Sequence, residues 1–271
     1  MMQHTLRSDL AFEGTGLHTG AFCRVRVLPR EARFGLQFQL NGKTTFPADA
    51  SYIVETRRAT VLGIDGQTVS TVEHLLSALF AMGVDNALIE VDGPEIPAMD
   101  GSAALFCESI LRVGLTEQNA PREVYTVAQA ASFQEGEARL VVLPSDAFRV
   151  CFVVKFEEPI GQQFLDATIE SGFYVREIAS ARTFGYLHEV QALLAAGLAR
   201  GGSLDNALVF APDGPLTALR WPNEPARHKV LDLIGDFALL GAWPLCEIIA
   251  FKSGHRLHAR AVSELRRAFE K

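Results

Sequence analysis

Thr71-Val72-Glu73-His74-Leu75-Leu76-Ser77-Ala78-Leu79-Phe80-Ala81-Met82 decides how the rest of the chain is read. At roughly 100° per residue, Val72, Leu75, Leu76, Leu79, Phe80 and Met82 fall on one arc of a helix, with Glu73 and His74 outside it. Their side otherwise carries Ser77, Ala78 and Ala81, where a solvated face would carry long charged side chains. Small residues let another layer, or a substrate, come close. Around this helix, Phe22 to Leu28, Ala87 to Val91, Leu140 to Leu143 and Arg149 to Phe156 alternate with period two and read as strands. Ala103 to Val113, Glu189 to Ala196 and Arg227 to Leu240 return to helical spacing. Strands and helices mix without regular βαβ alternation, so the expected class is α+β, built as two-layer sandwiches rather than a doubly wound sheet.

The polar, proline-containing stretch Thr116 to Glu123 places a domain boundary near residue 120, giving domains 1–120 and 121–271. Turn dipeptides such as Asn41-Gly42, Asp65-Gly66, Asp100-Gly101 and Asp213-Gly214 punctuate the loops. With 271 residues, 48% hydrophobic and 21% charged, the chain can fill one large core or two ordinary ones. A net charge of -7 argues against a nucleic-acid or anionic-membrane surface, which selects clustered Lys and Arg. Cys23, Cys107, Cys151 and Cys246 lie far apart and form no CxxC pair, the pattern of reduced thiols in a cytoplasmic protein. Met1 to Leu10 lacks the form of a signal peptide, and the greasiest stretch, Phe237 to Phe251, is interrupted and too short to span a bilayer.

The second helix carries the informative polar face. His228 and Asp232 are four apart and project one turn above the other, with Asp236 one turn further and Gly235 between them. Val230, Leu231, Leu233, Ile234, Phe237 and Leu240 take the opposite arc, and Lys229 flanks the stripe. Glycine in a helix interior costs about 1 kcal/mol relative to alanine, which close approach of a ligand or a second helix would justify. Each residue also has a plain reading. Ser70-Thr71-Val72-Glu73 has the spacing of a capping box, a lone His74 fits a hydrogen-bonded core histidine, and the stripe on the second helix fits a solvated face. If the two helices meet, two imidazoles and a carboxylate with one position left for water form a set that zinc uses in hydrolases. Glu73 would then be placed to accept a proton from that water, whose pKa zinc lowers to about 7.

Longer motifs sharpen this. Gly14-Thr15-Gly16-Leu17-His18-Thr19-Gly20, Thr71 to Leu79 and Ile96-Pro97-Ala98-Met99-Asp100-Gly101-Ser102-Ala103 occupy the first half. Ala181-Arg182-Thr183-Phe184-Gly185, Gly201-Gly202-Ser203-Leu204-Asp205-Asn206-Ala207, Arg227 to Asp236 and Ser253-Gly254-His255 follow in the second. In content and order these resemble, over essentially the full length, the UDP-3-O-acyl-N-acetylglucosamine deacetylase family of zinc amidases that commit bacteria to lipid A synthesis.

The resemblance implies two similarly built two-layer α/β sandwich domains packed through their helical layers, with the active site between them and a small insertion in each. It implies one Zn2+ per chain on His74, His228 and Asp232, Glu73 as base, His255 as the acid for the leaving amine with Asp236 orienting it, and Thr183 donating to the developing oxyanion. Lys229, Lys252 and Phe156 would hold the sugar nucleotide. The 184–209 insertion would form the acyl-chain passage, with Phe184, Val190, Ala199, Gly202, Ser203, Leu204 and Val209 along it. The implied partner is the small-molecule substrate UDP-3-O-acyl-N-acetylglucosamine, taken by a monomer with no nucleic acid and no membrane span. Three positions depart from the family pattern: His258 stands where Asn is usual, Glu158 replaces a His after Phe156, and Leu105 replaces a Pro. The residues also suit a same-fold amidohydrolase acting on another acylated amine, or a non-catalytic zinc protein.

Overall fold

The computed structural model describes residues 1–269. Its two main sheets share one topology. In the first, the spatial order is Leu10–Thr15, Phe22–Pro29, Ala87–Asp92, Leu36–Leu40, Thr44–Pro47. In the second it is Ala131–Glu135, Ala138–Pro144, Trp243–Phe251, Arg149–Lys155, Gln162–Thr168, and Val124–Thr126 also pairs with the central strand. Both put the strand that comes last in sequence at the centre, parallel to one neighbour and antiparallel to the other. Strict alternation makes these strands: Cys23, Val25 and Val27 turn inward from Phe22–Pro29 while Arg24 and Arg26 face water. All strands of the first sheet precede residue 120 and all of the second follow it. The stretch around 120 is itself structured, because Leu115–Pro121 pairs antiparallel with Met2–Leu6.

Among the described residues the α-helices are α1 (Glu73–Ala81), α2 (Ala104–Val113), α3 (Ser171–Glu177), α4 (Leu187–Ala195), α5 (Glu224–Ala238) and α6 (His255–Phe269). Helical spacing in the sequence anticipates α1, α2, α4 and α5; α3 and α6 lie outside the helices expected from it. The central strands follow α1 and α5 respectively, so each half repeats four strands, a helix, a strand and a helix. Each half also inserts a small sheet before its first long helix. In the first half this is Ile53–Glu55, Val61–Ile64 and Gln67–Val69, closed by the left-handed pair Asp65-Gly66 at φ of 51° and 78°. In the second half α4 and a three-stranded sheet of Phe184–Tyr186, Leu208–Ala211 and Gly214–Pro215 occupy the equivalent place. Among the described residues, no helix is long and apolar enough to cross a membrane.

The two halves meet where α1 crosses α5. A β-carbon on Gly235 would lie 2.1 Å from the Glu73 carbonyl oxygen and 2.9 Å from its Cα, so α1 passes directly over this glycine. Of the two reasons the sequence offered for a mid-helix glycine, the structure selects close approach of a second helix. Every residue of α1 is buried, as are thirteen of α5, because both helices are covered by a sheet on one side and by each other on the other.

Candidate active site

The crossing places the polar stripes of α1 and α5 against each other. His74 Nε2 lies 3.6 Å and His228 Nε2 3.3 Å from Asp232 Oδ1, and the two imidazoles stand perpendicular with centroids 5.0 Å apart. His228 Nδ1 lies 3.0 Å from the carbonyl of Ala181, which can only accept, so Nδ1 carries the proton and the Nε2 lone pair faces the cluster. Asp232 Oδ2 accepts from Lys229 Nζ at 2.6 Å. Asp232 Oδ1, in contrast, is one of three buried side-chain oxygen atoms without a hydrogen-bond partner among the described residues. A buried carboxylate oxygen without a donor is costly, and a cation shared with two imidazole lone pairs removes that cost. His74, His228 and Asp232 offer ligand atoms close enough together to hold one metal ion.

Beside this cluster sits a second polar group. Glu73 starts α1, but not as a capping residue: α1 has no side-chain cap, and the Glu73 carboxylate instead accepts from the backbone N–H of Thr60 at 3.1 Å. His255, at the start of α6, holds Nε2 3.8 Å from both Glu73 Oε1 and Asp232 Oδ2. Its Nδ1 donates to Asp236 Oδ2 at 2.8 Å. The same carboxylate oxygen accepts from His258 Nδ1 at 2.8 Å, and His258 Nε2 lies 2.8 Å from Ser253 Oγ. His258 is therefore a fully buried hydrogen-bonding group and not a surface residue.

Burial pushes the Glu73 carboxyl up to about 7, against the pull of His255 and His74. Burial lowers His228 to about 3, which keeps its ring neutral. At His255 burial acts downward but is outweighed by the Asp236 carboxylate, and its imidazole rises to about 9. Asp236 falls to about 2 because the paired histidines overcome its burial. The site thus sets a carboxyl pushed up next to an imidazole pushed up, the division expected of a proton acceptor and a proton donor.

A cavity of about 620 Å3 opens over these groups. Of the residues selected in the sequence, Glu73, His74, Thr183, His228, Lys229, Asp232 and His255 line it, as do Phe156, Phe184, Val190, Ala199, Gly202, Ser203, Leu204 and Val209. Asp236 lies behind His255. Lys252 is not part of the lining, and its ammonium pairs with Glu137. Phe156 packs edge-on against Phe184 at 5.3 Å. Arg182 fixes Thr183: its guanidinium and backbone N–H both bond to Glu224 Oε1, at the first residue of α5. His18, Arg58 and Thr71 also line the cavity, and the sequence alone points to no role for them or for Thr60. His18 and Thr71 both lie inside motifs quoted above, Gly14 to Gly20 and Thr71 to Leu79. Glu95 presents the first of these motifs by accepting from the N–H groups of His18 and Thr19 and from the hydroxyls of Thr19 and Thr71.

A cluster able to hold a metal ion, beside a raised carboxyl and a raised imidazole under an apolar-walled cavity, fits a class, the metal-dependent hydrolases. Within that class the sequence profile of one family, described as UDP-3-O-acyl N-acetylglycosamine deacetylase, matches residues 3–267. The chain belongs to this family. Relatives named UDP-3-O-acyl-N-acetylglucosamine deacetylase include proteins of Syntrophotalea carbinolica, 42% identical over 97% of this chain and 87% of that protein, and of Myxococcus xanthus, 42% identical over 97% and 86%. A third, from a Nostoc species, is 41% identical over 98% of both chains.

Proposed function

We propose that the chain is a zinc-dependent deacetylase that hydrolyses the N-acetyl group of UDP-3-O-acyl-N-acetylglucosamine, releasing acetate and a free sugar amine in the committed step of lipid A biosynthesis. The observation that carries the metal part is Asp232 Oδ1, buried without a donor and facing Nε2 of His74 and His228. These three residues would hold one Zn2+ per chain, which when bound supplies Lewis-acid activation of the acetamide carbonyl and of a water molecule. Glu73 takes the proton as the water oxygen bonds to the carbonyl carbon. Thr183, on the cavity wall, donates to the carbonyl oxygen as negative charge gathers there. His255, held by Asp236 through Nδ1, delivers a proton from Nε2 to the nitrogen as the C–N bond breaks.

The apolar wall of Phe184, Val190, Ala199, Leu204 and Val209, with Gly202 and Ser203 between them, suits a fatty acyl chain. Lys229 and Phe156 would face the sugar nucleotide. Lys252 would join them by exchanging Glu137 for the diphosphate. Residues 1–120 and 121–271 act as two domains whose helical layers form the site, in a monomeric cytoplasmic enzyme.

The test is deacetylation of the UDP-linked substrate before chelation, after it, and after one equivalent of zinc is restored. Loss and recovery of turnover, with no hydrolysis of N-acetyl sugars lacking UDP or the acyl group, is the expected result. Full activity in the chelated protein overturns the metal assignment, and equal hydrolysis of simple N-acetyl sugars overturns the substrate.

A further inference from the structure

Thr60 touches both ends of the proton-handling apparatus. Its backbone N–H donates to Glu73 Oε2 at 3.1 Å, and its hydroxyl donates to Asp236 Oδ1 at 2.5 Å. The same hydroxyl oxygen lies 3.3 Å from His255 Nδ1. Its carbonyl accepts the N–H of Val72, the residue before α1, at 3.4 Å. Thr60 is 1% exposed and is not among the residues that line the cavity.

Counting protons assigns the bonds. His255 Nδ1 and His258 Nδ1 both point at Asp236 Oδ2, which as a carboxylate oxygen can only accept, so both rings carry their proton there. The single hydroxyl proton of Thr60 then has one productive acceptor, Asp236 Oδ1, at the shorter of its two contacts. With Oδ1 engaged by Thr60 and Oδ2 by two imidazoles, the carboxylate plane cannot turn. His255 is therefore held with Nε2 toward Glu73 and Asp232.

We propose that Thr60 is the positioning residue shared by base and acid, its amide setting the Glu73 carboxylate and its hydroxyl locking Asp236 and through it His255. The assignment rests on the deacetylase reading above for its kinetic part only. Thr60→Val removes the hydroxyl proton and keeps both shape and amide, whereas Thr60→Ser keeps both hydrogen bonds. In Thr60→Val kcat should fall about 10- to 100-fold, a part of what a positioned acid or base contributes. KM and zinc stoichiometry should match the parent, and Thr60→Ser should recover most of the loss. In an Asp236→Asn background, Thr60→Val should add nothing. Should Thr60→Val not fold, Thr60→Ala removes the same proton with less bulk and must show the same pattern.

A second readout does not need turnover. Imidazole 15N spectra of the zinc-loaded protein should show His255 protonated at Nδ1, and Thr60→Val should move the His255 signals while those of His4 and His188 stay. Parent-like kcat in Thr60→Val, a full further loss on top of Asp236→Asn, or an unmoved His255 spectrum would each overturn the proposal. A parent without turnover would sink the deacetylase reading instead, and the spectrum would still decide the placement of His255.

Discussion

Replacing Gly235 by alanine tests whether the crossing of α1 and α5 builds the site. The added β-carbon would lie 2.1 Å from the Glu73 carbonyl oxygen, and ordinary contact begins near 3.4 Å, so the helices must separate by about 1.3 Å. Overpacking of this kind costs about 1–3 kcal/mol. Alanine returns about 1 kcal/mol of helix propensity, leaving a net loss small enough for the fold to survive. The proposed metal site has less tolerance, because His74 rides on α1 while His228 and Asp232 ride on α5, and ligand distances would have to hold within about 0.2 Å. Loss of a group that hydrogen-bonds a ligand weakens metal sites about 10- to 100-fold, and a ligand carried away on its helix should do at least as much. Zinc affinity, measured by competition with a chromophoric chelator, should therefore drop at least about tenfold while thermal unfolding shifts by only a few degrees. Gly235→Ala with parental zinc affinity and parental turnover would show that this contact does not set the distances among the ligands.

Glu73→Ala should keep its zinc and lose about 10²- to 10⁴-fold in kcat; near-normal turnover of the zinc-loaded variant would remove Glu73 as the base. The pH profile of kcat/KM should be bell-shaped. The base must be unprotonated, so the rate rises as Glu73, pushed up to about 7, loses its proton, and a cation alongside moves that limb to lower pH. The acid must be protonated, so the rate falls as His255, raised to about 9, loses its own, and a profile with one limb would contradict the pairing. Glu224→Ala should cost about 3–5 kcal/mol in urea unfolding, because Arg182 is left buried without its carboxylate. Val190→Trp should raise KM for long acyl chains and leave short-chain substrates nearly unaffected, read from a chain-length series; equal effects on both would place the acyl chain elsewhere.

Much of this was legible in the chain itself. The 3.6-residue spacing placed α1 and α5 within a few residues of their observed ends and set Glu73, His74, His228, Asp232 and Asp236 on their polar faces, since such spacing depends only on local geometry. It also marked Gly235 as a place where something comes near. It did not reveal α6, nor whether the spacing at Ser70 to Glu73 meant a cap. That was decided when the Glu73 carboxylate found the Thr60 amide and not its own helix start. His258 could have been a surface histidine until the packing of α6 buried it against Asp236.

Thr60 had no local signature at all, because its partner Asp236 is 176 residues away. Periodicity tells which side of an element is polar or apolar, and it says nothing about which other side will lie opposite. That second choice belongs to the crossing of α1 and α5, where the absence of one side chain at Gly235 lets two helices approach closely enough for residues from both halves of the chain to share a single site.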